Sequence, residues 1–299
     1  MKLEIKNIRK SFEGREVLHG VSFEVESGKA TGFLGRNGAG KSTTFRCLMH
    51  VLRMDSGEFL LDGQQFDPSK HHIGYMPEER GMYAKIGVKD QLVYFSRLKG
   101  ASPKEASDDA DYWIEYFGLK DYSSKKLETL SKGNQQKIQI AQAFLHNPDI
   151  VILDEPFSGL DPINAQAFKD AIRDMVNKGK LVIFSSHQMA YVEEICDNVA
   201  IIDKGNMVIS GNLEQIKEQE GRGRYYIECR PGTVESISAS LKERGLEYTL
   251  SKENILLTKD DSSVLPGIIE EHFGEIMESG MYRPTLQDIF IEKVGEIDA

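Results

Sequence analysis

Residues 35–43 read Gly-Arg-Asn-Gly-Ala-Gly-Lys-Ser-Thr. They match the pattern G-x-x-x-x-G-K-[ST] at Gly35, Gly40, Lys41 and Ser42. Glycine lets such a loop curl so that its backbone N–H groups converge on anionic oxygens. Here the cradle runs over Gly35, Asn37, Gly38, Ala39, Gly40, Lys41, Ser42 and Thr43. Lys41 is placed to reach the β- and γ-phosphates of a nucleotide, and the Ser42 hydroxyl to ligate Mg²⁺. A glycine-rich turn with a chance lysine is the blander alternative. The flanks weigh against it: Ala30–Leu34 has strand character, and Thr44–Met49 continues as a helix whose positive end faces the same anion.

A second constellation lies downstream. Ile150-Val151-Ile152-Leu153 is an apolar strand that ends in Asp154-Glu155. A carboxylate at the strand end, Asp154, can hold Mg²⁺ through water. The next one, Glu155, points past the metal and can polarise an attacking water. Two solvated loop acids would be the bland reading.

Further segments narrow the chemistry. Leu130-Ser131-Lys132-Gly133-Asn134-Gln135-Gln136 resembles the signature of ABC ATPases, usually written L-S-G-G-Q. Ser158-Gly159-Leu160-Asp161 looks like their D-loop, and His187, after the strand 181–186, like their switch histidine. All five segments occur in that family's order, over about residues 1–215. The resemblance implies a P-loop NTPase of ABC type, an α/β fold with a RecA-like parallel-sheet core, an antiparallel β layer and a helical subdomain. It implies ATP and Mg²⁺ as ligands and a head-to-tail pair of subunits. In such a pair Ser131, Gly133, Gln136 and Asp161 of one subunit complete the nucleotide site of the other, while His187 contacts the γ-phosphate and positions Glu155. Phe12 aligns with the aromatic that stacks on adenine; a buried core Phe is its alternative.

Two departures from the family pattern stand out. Met76-Pro77-Glu78-Glu79 puts Glu78 where a Gln is usual; a carboxylate can still ligate Mg²⁺, with a different charge from an amide. The signature has Lys132 for Gly and Asn134 for Gln.

The elements that must carry these residues are legible as patterns. Leu3, Ile5, Ile8 and then Val17, Val21, Phe23, Val25 flank a turn at Glu13-Gly14-Arg15 and predict an antiparallel layer. Residues 58–61 and 73–76 read as strands. From 88 to 146 the spacing turns helical: Leu92, Phe95 and Leu98, then Trp113, Tyr116 and Phe117. Ser102-Pro103 opens one helix, and Ser131 opens another that runs to Asn147-Pro148. Strands at 150–154 and 181–185 with a helix at 165–178 between them form a βαβ unit. A hairpin at 199–210 closes the layer.

The charged stretch 213–221 runs into Glu-Gly-Arg-Gly-Arg, where we place a domain boundary. Residues 1–220 form the nucleotide-binding domain, with a helical subdomain at about 84–148. Residues 221–299 form a small α+β accessory domain. Its order is strand 225–229, helix 234–244, strands 248–251 and 254–258, helix 264–272, strand 276–282 and a helix at 286–294. That is a βαββαβ pattern of ferredoxin-like type.

The chain has 299 residues, 40% hydrophobic and 28% charged, with a net charge of −10. That balance argues against nucleic acid as a partner, because phosphate backbones need clustered Lys and Arg. Cys47, Cys196 and Cys229 show no metal-ligand spacing and read as small buried thiols. The opening Met-Lys-Leu-Glu-Ile-Lys reads as a strand and not a signal peptide. No apolar run is long enough to span a bilayer.

The stretch 77–83 and the segment Tyr282-Arg283-Pro284-Thr285-Leu286-Gln287-Asp288-Ile289-Phe290 resemble a bacterial export-type subgroup, with sodium-efflux ATPases as its nearest named members. The resemblance implies a cytoplasmic ATPase held at the inner membrane face by a separate transmembrane permease. It pairs there with a second ATPase subunit, identical or paralogous. A soluble ATPase acting on ribosomes or DNA is the rival. Ribosomal types carry two ATPase units per chain and repair types carry long coiled coils, and this acidic chain shows neither. A nucleotide-binding module without turnover is the third reading, and Glu155 and His187 count against it.

Overall fold

The computed structural model describes residues 1–79, 81–251, 254–257 and 265–295. Arg80, Thr258 and Val264, on which parts of the expected segments fall, lie outside the described residues. The chain divides into two units, Met1–Leu213 with the chain end from Lys293, and Glu214–Glu292. This division falls at the start of a helix, ahead of the boundary anticipated after Glu220, and it groups the chain end from Lys293 with the first unit and not with the accessory domain expected over 221–299.

In the first unit β1 (Lys2–Phe12) and β2 (Arg15–Glu26) form a hairpin. Leu3, Ile5 and Ile8 are all buried, although the last step is three residues and not two. Asn7 adopts φ 50°, and the register shifts between Ile5 and Ile8. A bulge there returns Ile8 to the core face. On β2 the core position anticipated for Val17 belongs to Leu18, because Gly20 at φ 93° breaks the alternation before Val21.

Next come β3 (Ala30–Leu34), α1 (Lys41–Leu48), β4 (Ser56–Leu61), β5 (Gln64–Gln65) and β6 (Ile73–Met76). The helical segment holds α2 (Val88–Leu98), α3 (Pro103–Tyr116) and α4 (Lys132–Phe144). The core resumes with β7 (Ile150–Leu153), α5 (Pro162–Asn177), β8 (Leu181–Ser186), α6 (Met189–Ile195), β9 (Asn198–Asp203) and β10 (Asn206–Asn212).

Two sheets result. One is antiparallel, in the order β2-β1-β4-β5. The other runs β10-β9-β3-β8-β7-β6, parallel except for the β9–β10 hairpin at its edge. Every residue of β3, β7 and β8 is buried, as expected of strands covered on both faces. Phe23, Phe33 and Phe45 join β2, β3 and α1, with ring centroids 4.8 and 5.7 Å apart.

In the helical layer Ser102 and Glu105 close a reciprocal capping box on α3, with Pro103 in its first turn. Trp113 packs on Phe117 and Phe144. Helix α4 stops at Phe144, short of the expected Asn147, because His146 and Asn147 turn left-handed at φ 61° and 47°. Lys99 donates to the carbonyls of Gln142, Ala143 and Leu145, which are otherwise orphaned at a helix end.

The second unit contains all but the first residue of α7 (Leu213–Gly221), then β11 (Tyr225–Cys229), α8 (Val234–Glu243), β12 (Tyr248–Ser251), β13 (Asn254–Leu257), α9 (Leu265–Glu271), β14 (Ile276–Met281) and all but the last two residues of α10 (Leu286–Val294). Its sheet runs β12-β13-β11-β14 with antiparallel neighbours. Ile227, Cys229, Ile255 and Leu257 of the sheet pack with Ile237, Leu241 and Ile268 of α8 and α9.

Candidate functional site

The glycine loop leaves the end of β3 and turns into α1. Gly40, the residue before the helix, has φ 113°, and Gly38 has φ 78°, conformations open to glycine at little cost. A Cβ on Gly35 would stand 2.4 Å from the carbonyl oxygen of Ile202, so β9 presses against the loop from behind. The α1 N-terminus has no side-chain cap, which leaves its first N–H groups for a ligand.

Lys41 is 6% exposed, and its Nζ donates to the carbonyls of Gly35 at 2.8 Å and Arg36 at 3.3 Å. The same Nζ lies 3.2 Å from Oε1 of Glu155, which is 7% exposed. The other oxygen of Glu155, Oε2, lies 2.8 Å from Nδ1 of His187. A carboxylate can only accept, so the proton of this bond sits on Nδ1. Glu155 itself holds φ 53°, a left-handed turn off the end of β7. Ser186 Oγ accepts from the N–H of Gln188 at 2.9 Å and pins the turn that carries His187.

Asp154 is 1% exposed at the end of β7. Its N–H donates to Met76 O at 2.8 Å, which ties β7 to the end of β6. Burial pushes the Asp154 carboxyl above its ordinary range; hydrogen bonds from Ser185 and Ser42 oppose this, the charge of Glu155 adds to it, and Lys41 opposes it. Ser185 Oγ donates to Asp154 Oδ1 at 2.6 Å and accepts from the Glu155 N–H at 2.8 Å. One fully buried hydroxyl thus sets both acids.

Glu78 follows β6. Its Oε2 lies 3.5 Å from Ser42 Oγ. A cleft lined by Asn37, Gly38, Gly40, Lys41, Ser42, Thr43, Glu78 and Glu155 opens between these loops.

Ser131, Gly133 and Asp161 do not line that cleft. Ser131 caps α4, accepting from the Asn134 N–H at 3.3 Å. Asp161 caps α5, accepting from Asn164 N at 2.9 Å and from its Nδ2 at 2.6 Å. A Cβ on Gly133 would meet Asn164 Nδ2 at 2.5 Å, so the two helix N-termini stand side by side. Gln136 Nε2 donates to the carbonyls of Pro156 and Ser158. Phe12 is 42% exposed, with Lys10 Nζ 5.1 Å from its ring centre; it is not a core residue.

Sequence reasoning missed Ser185 and Gln139, whose Nε2 donates to Pro77 O at 3.0 Å. A signal for the first was present: a Ser-Ser pair closing an otherwise apolar strand. The second rests on a helix–loop approach that no local pattern records.

Two family models match the chain. The ABC transporter model covers residues 18–158, and the model for the C-terminal domain of DrrA1-3-like ATP-binding proteins covers 211–294. The uncharacterized ABC transporter ATP-binding protein YhaQ of Bacillus subtilis is 40% identical over 311 residues, spanning 99% of both chains. The lipopolysaccharide export system ATP-binding protein LptB of Haemophilus influenzae is 32% identical over 232 residues, 75% of this chain and 96% of its own. A solved structure described as the ATP binding subunit of an ABC transporter aligns with a TM-score of 0.68 at 28% identity, covering 81% of this chain and 100% of that one.

Proposed function

The chain belongs to the ABC transporter family of ATP-binding proteins, and on that footing we propose that it hydrolyses Mg·ATP to drive export through a separate membrane permease. Among the described residues no helix is long and apolar enough to cross a membrane, which supports a partner that supplies the spans. The export direction draws support from the resemblance carried by the stretch 77–83 and the segment 282–290, and from the export system named for one relative. The expected place of work is the cytoplasmic face of the cell membrane.

The observation that carries the catalytic reading is Glu155 held between Lys41 and His187 at 3.2 and 2.8 Å. Glu155 takes the proton of the attacking water. His187 holds the Glu155 carboxylate in line, and Lys41 meets the β- and γ-phosphates. Phe12 offers an exposed ring to the adenine. Ser42, Asp154 and Glu78 present only oxygen donors, which suits Mg²⁺. Among the described residues no group of three or more His, Cys, Asp or Glu stands close enough to hold a metal alone. That fits an ion whose remaining ligands are phosphate oxygens and water. When bound, the metal supplies charge neutralisation on the phosphates.

Ser131, Gly133 and Asp161 sit together off the cleft, and a second copy facing head to tail brings them to it. Gln136, bonded to the carbonyls of Pro156 and Ser158, braces this edge against the loop that follows Glu155. Glu155→Gln tests the assembly. It removes the base and keeps the shape, so the variant is expected to elute as a dimer with Mg·ATP on size-exclusion chromatography. An unchanged monomer counts against the model.

A further inference from the structure

We propose that Glu78 makes nucleotide binding conditional on the divalent metal, its carboxylate opposing a bare triphosphate and attracting a metal-bound one. The inference rests on the ATP reading above and concerns the one cleft position where this chain carries a charge in place of the amide usual in its family.

The charge balance of the cleft leads to it. Among its lining residues Lys41 is the cation, and Glu155 and Glu78 are the carboxylates. Glu155 already takes one face of the Lys41 ammonium at 3.2 Å. Glu78 also lines the cleft, 3.5 Å from Ser42 Oγ, beside the hydroxyl placed to ligate the metal. Its loop is held at the root: Met76 O accepts from Asp154 N at 2.8 Å, and Pro77 O accepts from Gln139 at 3.0 Å. The carboxylate is exposed in the open cleft, so water supports its charge until a nucleotide covers it. A triphosphate entering without metal then meets an uncompensated like charge. With metal, the same oxygen becomes a ligand or accepts from metal-bound water. A neutral amide in this place would discriminate far less. One elementary charge about 6 Å from another, in a partly solvated cleft, changes an equilibrium constant by about tenfold.

The test is equilibrium binding of a fluorescent, non-hydrolysable ATP analogue to the full chain, in excess MgCl₂ and in EDTA. The readout is the ratio of the two dissociation constants. In Glu78→Gln this ratio is expected to shrink by about tenfold, chiefly through tighter metal-free binding. Glu79→Gln, the same charge change one residue on, is expected to keep the parent ratio. An unchanged ratio in Glu78→Gln overturns the proposal, as does an equal change in Glu79→Gln. Parent protein that binds the analogue in neither buffer overturns the ATP reading itself, and this inference with it.

Discussion

Nδ1 of His187 lies 2.8 Å from Oε2 of Glu155, across the ends of two neighbouring parallel strands. The histidine is 42% exposed while the carboxylate is 7% exposed, so a half-open ring steadies a buried acid. Removing the ring leaves Glu155 on Lys41 alone. His187→Ala is therefore expected to lower ATP turnover by about 10²-fold or more while nucleotide affinity changes little. Steady-state hydrolysis measured beside equilibrium binding separates the two. An equal loss in both would assign the histidine to binding and not to positioning.

Gly74 lies in β6, and a Cβ there would stand 2.1 Å from the carbonyl oxygen of Ala143 in α4. Backbone meets backbone, so no side chain can swing away to make room. Gly74→Ala is expected to destabilise the first unit by about 1–3 kcal/mol. Urea unfolding followed by the fluorescence of Trp113 measures it.

Burial pulls the Lys99 ammonium down from 10.5 to about 8, with the charge of Asp109 opposing. Between those two values the unfolded chain binds more protons than the folded one, so stability rises with pH across that window. Below about 8 both states carry the proton, and the contribution is flat. Lys99→Met is expected to remove a slope of up to about 1.4 kcal/mol per pH unit. Denaturant midpoints of parent and variant over this range test it, since other titrating groups cancel in the difference.

Cys47, Cys196 and Cys229 are all buried. Burial pushes the Cys47 thiol up to about 11 and that of Cys196 well above its ordinary value. Little reactive thiolate is available at these two near neutral pH. Iodoacetamide is expected to leave the native protein unmodified and to label the thiols only after unfolding, read by mass spectrometry.

The glycine loop was legible because its chemistry is contiguous: turn, lysine and helix N-terminus occupy nine adjacent residues, 35–43. Asp154 and Glu155 were legible as polar residues ending a wholly apolar strand. The strands around them followed from apolar periodicity, and β7 and β8 lie where it placed them. Other features depend on approaches between distant segments. Gly74 reads as an ordinary strand glycine until α4 is laid across it. Ser185 looks like a strand-end serine until β7 is paired beside β8. Leu18 takes the core position expected of Val17 because Gly20 resets the alternation, and a positive φ leaves no mark in a pattern of apolar residues. Helix α4 ends early for the same reason, at two left-handed residues that are not glycine.

Helix α4 has contacts at both ends and along one side. Ser131 closes its start, Lys99 gathers its final carbonyls, and between them Gln136 and Gln139, three residues apart, hold the loops after β7 and β6. Residues at that spacing share a face, so the rod grips both loops from the same side. Any push that slides it along its axis would strain both anchors at once, those of the loops carrying Glu155 and Glu78.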